Sequence, residues 1–355
     1  MSNLNPKDNS KVIVDHLAFS FPLASLKDIC TRSGTTRDRS YRWTKMPKFS
    51  HYTKNTQPQE YDAILQKFNA DYYDSLFLRL EVFAFVVLGL KVGASREKGF
   101  NGYKNSHRLT DKSGRVELGF LGIGGNNNTV YFQISGEGCK HLFSHTSFFI
   151  LHHWLSNILE ITHLTRIDLA YDDFDGNFDC DYAINAYHDG AFQGFNGGPM
   201  PHMVPSPEYR GREIVGYIVR VGKRSSNTFW RIYDKAAEQK LLGQTWYRSE
   251  VELKRVKITA LLNPAGAFAG INSFSSSLNA AVGFSVRSSI RRATLDMAAR
   301  IRWAKQQCGR TLSDIVESFD GDIFAAFGAV IDHRGGKFVL PDTQKQLLFD
   351  QLRNS

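Results

Sequence analysis

Residue types that can carry out nucleophilic and acid–base chemistry are concentrated between Asn227 and Leu253 of this 355-residue chain. The stretch contains one candidate hydroxyl nucleophile, Tyr233, and two candidate acids, Glu250 and Glu252. It also contains three cations, which are Arg231, Lys235 and Arg248. The same pattern equally fits a half-buried, hairpin-like unit with a solvated polar face.

Alternating side-chain character predicts that these residues lie on two strands. The segments Phe229–Tyr233 and Trp246–Leu253 both alternate with the period of two that is expected of a strand. Arg231 and Tyr233 therefore share one face of the first strand. On the second strand, one face carries Trp246, Arg248, Glu250 and Glu252.

A further carboxylate lies on a strand predicted upstream, at Leu164–Asp172. One face of that strand carries Arg166, Asp168, Ala170 and Asp172. A carboxylate in mid-strand among apolar residues is costly unless a cation or hydrogen bonds satisfy it. Asp168 is therefore either a functional ligand or the structural partner of an arginine.

Periodicity along the rest of the chain alternates between strand-like and helical segments. Strands are predicted at Val12–Phe21, Val116–Ile123, Thr129–Ser135 and Glu213–Val221, with a hairpin turn at 124–128. Helices are predicted at Glu60–Ala70, Ser147–Glu160, Asp234–Leu242, Ser288–Gln307, Leu312–Ser318 and Thr343–Leu352, whereas Tyr72–Leu90 fits a helix or a buried strand. Long connections are predicted at Lys91–Arg115, Gly190–Arg212 and Asn263–Ser277. These elements predict an α+β protein in which an antiparallel sheet is flanked by helices.

Composition and charge favour a soluble protein with a polyanionic partner. The net charge is +9 and the pI is about 9.3. Basic residues interleaved with aromatic residues from Arg32 to Gln59 suit single-stranded nucleic acid, although a mobile surface loop fits as well. The polar start of the chain and its longest apolar run, Val82–Leu90, predict neither a signal peptide nor a membrane span. Four widely separated cysteines predict a reduced, cytoplasmic protein.

Several common chemistries lack their sequence signatures. The chain contains no G-x-x-x-x-G-K-[ST], no H-E-x-x-H and no G-x-S-x-G. The pairs His141/His145 and His152/His153 lie beside apolar helical residues, which favours an incidental role over metal binding. The segment His163–Arg166 matches a fragment of the tyrosine recombinase signature, and the rest of that signature is missing.

Five short segments, taken in order, resemble the Rep-trans type of rolling-circle replication initiators found in plasmids and filamentous phages. The segments are Val14–Leu17, Ile134–Cys139, Thr165–Asp172, Arg231–Lys235 and Tyr247–Glu252. The resemblance extends roughly from Val12 to Val256, about two thirds of the chain. The segment Ile134–Cys139 makes the phage initiators the nearer likeness.

The resemblance implies a nicking and closing enzyme. Such proteins cut one origin strand through a tyrosine that becomes joined to the 5′ phosphate, and they leave a 3′-OH for a polymerase. It implies Tyr233 as the nucleophile, Lys235 as a phosphate-contacting cation, and Mg²⁺ or Mn²⁺ held by Asp168, Glu250 and Glu252. DNA contacts are expected from Arg166, Arg231, Arg248, Lys223 and Arg224. The related HUH endonucleases bind their metal through a His-hydrophobe-His strand, and no His-x-His occurs here, so an all-carboxylate site would replace it.

Three regions are predicted on this basis. Residues 1–115 would form an N-terminal sheet and DNA-binding region, 116–262 an HUH-like, relaxase-related nicking core, and 263–355 a helical C-terminal region. The expected partners are single-stranded and duplex origin DNA, with a host helicase and a polymerase in the bacterial cytoplasm, and a homodimer is left open. The alternative is a non-catalytic phage or plasmid regulator that binds DNA without cutting it.

Overall fold

One ten-stranded antiparallel sheet organises the molecule. A computed structural model describes residues 12–29, 43–54, 56–195, 197–210, 212–241, 243–279, 301, 304–305 and 307–330. The strands are β1 (Val12–Pro22), β2 (Lys91–Ser95), β3 (Tyr103–Thr110), β4 (Glu117–Gly125), β5 (Thr129–Ile134), β6 (His163–Asp173), β7 (Met203–Arg210), β8 (Glu213–Val221), β9 (Thr228–Asp234) and β10 (Tyr247–Lys257). Their order is β2-β3-β4-β5-β1-β6-β10-β9-β8-β7, and neighbouring strands pair antiparallel.

The helices lie mainly in the connections between strands. They are α1 (Tyr61–Val87), α2 (Gly136–His145), α3 (Phe148–His153), α4 (Cys180–His188), α5 (Lys235–Glu238), α6 (Pro264–Ala269), α7 (Ser273–Asn279) and α8 (Ile323–Val330). Helix α3 continues as a π-helical turn, Trp154–Ile158, and residues 307–318 are also helical. The predicted α+β class, with an antiparallel sheet flanked by helices, is confirmed.

Helices α1 and α6 pack on one face of this sheet. Phe83 of α1 lies edge-on to Phe21 of β1, with 5.9 Å between ring centroids. Phe268 of α6 lies 5.6 Å from Trp230 of β9 and 6.2 Å from Tyr171 of β6, measured between ring centroids. Because side chains alternate across a strand, the residues between these aromatics point to the opposite face, which carries the charged groups.

Strand β1 lies in the middle of the sheet, between β5 and β6. It comes from the predicted region 1–115, whereas β5 and β6 come from 116–262, so the two regions share one sheet. The proposed region boundaries stay predictions.

Three predicted connections contain regular structure. The segment Lys91–Arg115 holds β2 and β3, and Gly190–Arg212 ends in β7, an edge strand whose position tolerates Pro205 and Pro207. The segment Asn263–Ser277 forms α6 and most of α7 instead of a loop. Asn263 begins α6 because its side chain accepts a hydrogen bond from the Gly266 N–H, and Pro264 occupies the first helical turn.

The ambiguous segment Tyr72–Leu90 belongs to α1, which continues the helix predicted from Glu60 without a break. The helix predicted at Leu312–Ser318 is confirmed. Most of Ser288–Gln307, all of Thr343–Leu352 and residues 32–42 of the basic–aromatic stretch lie outside the described residues. Within the described part of the chain, no helix is long and apolar enough to cross a membrane.

Candidate active site

Three adjacent strands bring the predicted site residues together on the polar face of the sheet. Strand β10 pairs with β6 on one side and with β9 on the other. In this register Glu252 lies opposite Asp168, Glu250 lies opposite Arg231, and Arg248 lies opposite Tyr233. The shared face expected from the alternation is therefore confirmed.

Arg166 connects two of the predicted carboxylates. Its Nε and Nη2 donate to the two oxygens of Asp168 at 2.7 and 2.6 Å, and Nη2 lies 2.9 Å from Glu252 Oε2. Lys254 Nζ lies 3.1 Å from the other Glu252 oxygen. Burial raises the pKa of Asp168 although the Arg166 guanidinium acts against this rise. The arginine pairing considered from the sequence is present at Asp168.

Tyr233 and Glu250 form a second pair, which contains the candidate nucleophile. The Tyr233 hydroxyl donates to Glu250 Oε2 at 3.3 Å, and Arg231 binds Oε1 of the same carboxylate. Burial raises the pKa of Tyr233 well above its ordinary value. Burial also raises the pKa of Glu250, and the Arg231 charge opposes that rise. Glu250 is thus placed to accept the phenolic proton.

Tyr233 opens into a cleft of about 260 Å³ whose wall is rich in arginine. The cationic lining residues are Arg220, Arg224 and Arg231. Arg220 of β8 lies directly opposite Arg231 of β9, and two like charges side by side favour an anion between them. Arg220 was not among the predicted site residues, because its position depends on the β8–β9 register. The strand predicted at Glu213–Val221, just before the strand that carries Arg231, was the signal that could have found it.

The remaining predicted contacts fall into two groups. Lys235 Nζ lies 5.6 Å from the Tyr233 ring centroid and forms an ion pair with Glu238. Lys223 and Arg224 lie in the exposed turn between β8 and β9, and the Arg224 guanidinium carbon lies 5.9 Å from the Phe229 ring centroid. Of these three cations, Arg224 lines the Tyr233 cleft.

Arg248 was expected to contact DNA, but the structure buries its side chain. It is 5% exposed, and its Nε and Nη2 donate to Asp172 at 2.7 and 2.8 Å. Its Nη1 donates to Asp15 of β1 at 3.1 Å. A guanidinium buried between two carboxylates cannot reach a phosphate outside, so Arg248 holds the sheet together instead.

The residues expected to hold a metal do not fit Mg²⁺ or Mn²⁺ as they are arranged. Three carboxylates have the right oxygen chemistry, but Arg166 binds Asp168 and Glu252, and Arg231 binds Glu250. No group of three or more His, Cys, Asp or Glu side chains that could hold a metal ion occurs among the described residues. His16, which lies opposite Asp168, has its pKa lowered to about 4 by burial and by the Arg166 charge.

Comparison with known proteins defines the class to which this region belongs. Residues 162–325 match the Rep_trans family, described as replication initiation factor, and this range includes β6, β9 and β10. This match supports a role in replication initiation and confirms the resemblance seen in the sequence.

A solved structure is similar to this chain, the rolling circle replication initiator protein from Geobacillus stearothermophilus. The similarity covers 73% of this chain and 83% of that chain, at 19% sequence identity and a TM-score of 0.45. No curated protein matches the chain.

Proposed function

We propose that this protein initiates rolling-circle replication by nicking one strand of origin DNA through Tyr233. The observation that carries the proposal is the Tyr233–Glu250 hydrogen bond in a cleft lined by three arginines. A hydroxyl nucleophile, a base in contact with it and cations for a phosphate are the groups that phosphoryl transfer to tyrosine requires.

The reaction can be written with the residues present. As Tyr233 Oη attacks the scissile phosphorus, its proton passes to Glu250 Oε2 and a phosphorus–oxygen bond to tyrosine forms. The bond from phosphorus to the 3′ oxygen breaks, and that oxygen takes a proton from solvent and becomes the 3′-OH primer. The 5′ phosphate stays on Tyr233, so the reverse reaction reseals the strand.

The burial of Tyr233 explains why the proposed attack on phosphorus needs a base. Because burial raises the pKa of Tyr233, the free phenolate is not available at neutral pH, and the proton must leave during attack. Arg231 and Arg220 would stabilise the charge that develops on the phosphate oxygens. Lys235, beside the tyrosine ring, is proposed to add to that positive field.

The substrate strand is proposed to be single-stranded at the site. Tyr233 is 8% exposed at the base of its cleft, and a phosphate within an intact duplex is hard to bring to a nucleophile in that position. The divalent metal, the host helicase and polymerase, the homodimer and the cytoplasmic location stay predictions.

A non-catalytic DNA-binding regulator is the second candidate. The observation that favours it is the pairing of Asp168, Glu250 and Glu252 with arginines in place of a metal site. A regulator would bind DNA with an affinity that falls as salt rises, and it would leave both strands intact.

A covalent adduct distinguishes the two candidates. Labelled single-stranded origin DNA, incubated with the protein and Mn²⁺, should give a protein–DNA adduct that survives denaturing electrophoresis. The Tyr233→Phe variant should give none, whereas Tyr247→Phe, whose side chain lies on the opposite face of β10, should give a normal amount. An undiminished adduct from Tyr233→Phe would remove Tyr233 as the nucleophile, and no adduct from any variant would favour the regulator.

A further inference from the structure

A second opening lies on the same face of the sheet, next to Arg166. This groove has a volume of about 550 Å³, within the range of roughly 300–1,000 Å³ that is usual for small-ligand sites. We call it the amide groove, after Asn101, Asn126 and Gln133, which line it together with Tyr131, Arg166 and Lys254. It is separate from the cleft at Tyr233, because the two share no lining residue.

Sheet register explains why these residues meet. Arg166 of β6 lies opposite Lys254 of β10 on one side and Ala18 of β1 on the other. Ala18 in turn lies opposite Gln133 of β5. Because the Ala18 side chain is small, the sheet surface has a depression at this point, between the longer side chains of Arg166 and Gln133.

One side of the amide groove is cationic. The side chains of Arg166 and Lys254 are 27% and 30% exposed, although both bind the buried Glu252. Their positive charge therefore faces the groove as well as the carboxylates. This side suits the phosphate backbone of a nucleic acid strand.

The other side presents side-chain amides on a fixed frame. Asn101 Nδ2 donates to Gln133 Oε1 at 3.2 Å, and Asn126 Nδ2 donates to the Asn101 carbonyl at 3.1 Å. Asn101 and Asn126 have φ values of 50° and 42°, a left-handed conformation that asparagine tolerates better than most residues. Two turns, one after β2 and one after β4, are thereby held against each other.

Amides and tyrosines in this arrangement suit a nucleobase. Asn and Gln side chains pair with base edges in two-point contacts, and aromatic rings stack on bases. Tyr131 and Tyr103, which both line the groove, stack on each other with 5.8 Å between ring centroids. The amide side lies outside residues 162–325, so it is built by a part of the chain that the family match does not cover.

We propose that the amide groove binds one or two unpaired nucleotides of the strand that is cut at Tyr233, and that it selects their bases. The phosphate would lie at Arg166 and Lys254, and the base would lie against Asn101 and Gln133. This proposal rests on the proposed function. One strand spacing and six residues of strand separate Lys254 from Tyr233, about 20 Å, so the selected bases lie several nucleotides from the cut.

Fluorescence anisotropy with the full chain tests the groove. The probes are a labelled single-stranded origin oligonucleotide and a set of copies in which each position within ten bases of the nick is changed singly. Wild-type protein should prefer the origin base at one or two positions by about tenfold, the discrimination of one good two-point contact. Gln133→Leu and, separately, Asn101→Gly should abolish that preference and keep the affinity for altered copies.

Two controls separate base selection from other effects. Gln66→Leu, at an exposed position of α1, should keep the wild-type preference. Lys254→Gln should weaken binding of every copy about equally, because a phosphate contact carries no base information. Asn101 is exposed and glycine adopts its φ of 50° without strain, so Asn101→Gly remains informative if Gln133→Leu does not fold.

The outcomes distinguish this inference from the proposed function. Equal preference in wild type, Gln133→Leu and Asn101→Gly would overturn the amide groove, as would a wild-type protein with no preference. Adduct formation at saturating DNA is measured in parallel. If wild type forms a normal adduct and the groove variants keep the wild-type base preference, the inference about the amide groove is wrong and the proposed function stands. If wild type forms no adduct, the proposed nicking is wrong, and the base preference measured by anisotropy still tests the groove.

Discussion

Replacing Arg248 by methionine should strongly destabilise the fold, because it breaks a buried ion pair. The Asp172 carboxylate is fully buried and accepts two hydrogen bonds from Arg248, at 2.7 and 2.8 Å. Methionine keeps much of the side-chain length and removes the charge. Breaking a buried pair by removing one partner typically costs about 3–5 kcal/mol, so the free energy of unfolding should fall by about that much.

Urea denaturation followed by intrinsic fluorescence measures this change. The matched control is Arg108→Met, which removes an arginine from an exposed pair with Glu117, where the distance from nitrogen to oxygen is 3.3 Å. Exposed pairs contribute about 0–1 kcal/mol, so this control should unfold almost as wild type does. Adding Asp172→Asn to Arg248→Met should recover part of the lost free energy of unfolding, since residue 172 then carries no buried charge that needs a guanidinium partner. A cost below about 1 kcal/mol for Arg248→Met would refute the structural role assigned to Arg248.

Three further perturbations test other parts of the structure. His16 has a folded-state pKa of about 4, against 6.5 in the unfolded chain, so the unfolded state takes up the proton first as the pH falls. The free energy of unfolding should therefore fall by up to about 3 kcal/mol as the pH drops from 6.5 to 4. Urea titrations at a series of pH values should show this slope in wild type, and His16→Gln should lose it. Gly138→Ala would place a Cβ 2.0 Å from the Leu118 carbonyl oxygen and should lower the free energy of unfolding by about 1–3 kcal/mol, measured by thermal unfolding. Gly328→Ala, at a helical glycine with open space around it, should raise that free energy by about 0.5–1 kcal/mol. Equal effects of the two variants would contradict the packing around Gly138. Arg166→Met should raise the affinity for Mn²⁺, measured by isothermal titration calorimetry, by at least about tenfold, because Arg166 is paired with Asp168 and Glu252. Two unit charges 4 Å apart interact with about 4 kcal/mol at an effective dielectric constant of 20. An unchanged affinity would show that Arg166 does not compete with a metal.

Strand assignments near the site were accessible from the sequence because alternation is a local property. The segments around Asp168, Tyr233 and Glu250 each show a period of two, and this period fixes which residues share a face. The helix α1 was harder, since the apolar run within Tyr72–Leu90 fits either type of element until its packing partners are known. Strand β7 was missed because prolines usually mark loops, and an edge position removes that objection.

Spacing could predict the partner of a charged side chain only where that partner lies close by in the sequence. Arg166 and Asp168 are two residues apart and share a face, so their pairing was foreseeable. Arg248 was expected to contact DNA, yet it binds Asp172 and Asp15, residues far away along the chain. The amide groove was not predicted at all, because Asn101 and Gln133 meet through the register of β3, β4 and β5.

The amino-acid sequence alone specifies the α+β class, the polar face of each central strand and the match of residues 162–325 to the replication initiation factor family. These follow from side-chain period and from residue identity, which need no knowledge of distant contacts. Only the three-dimensional fold shows that β1 lies between β5 and β6, that arginines bind the three carboxylates, and that Tyr233 faces Glu250. The physical reason is that strand order and register are fixed by burial of the whole apolar face, and charged partners follow from that register.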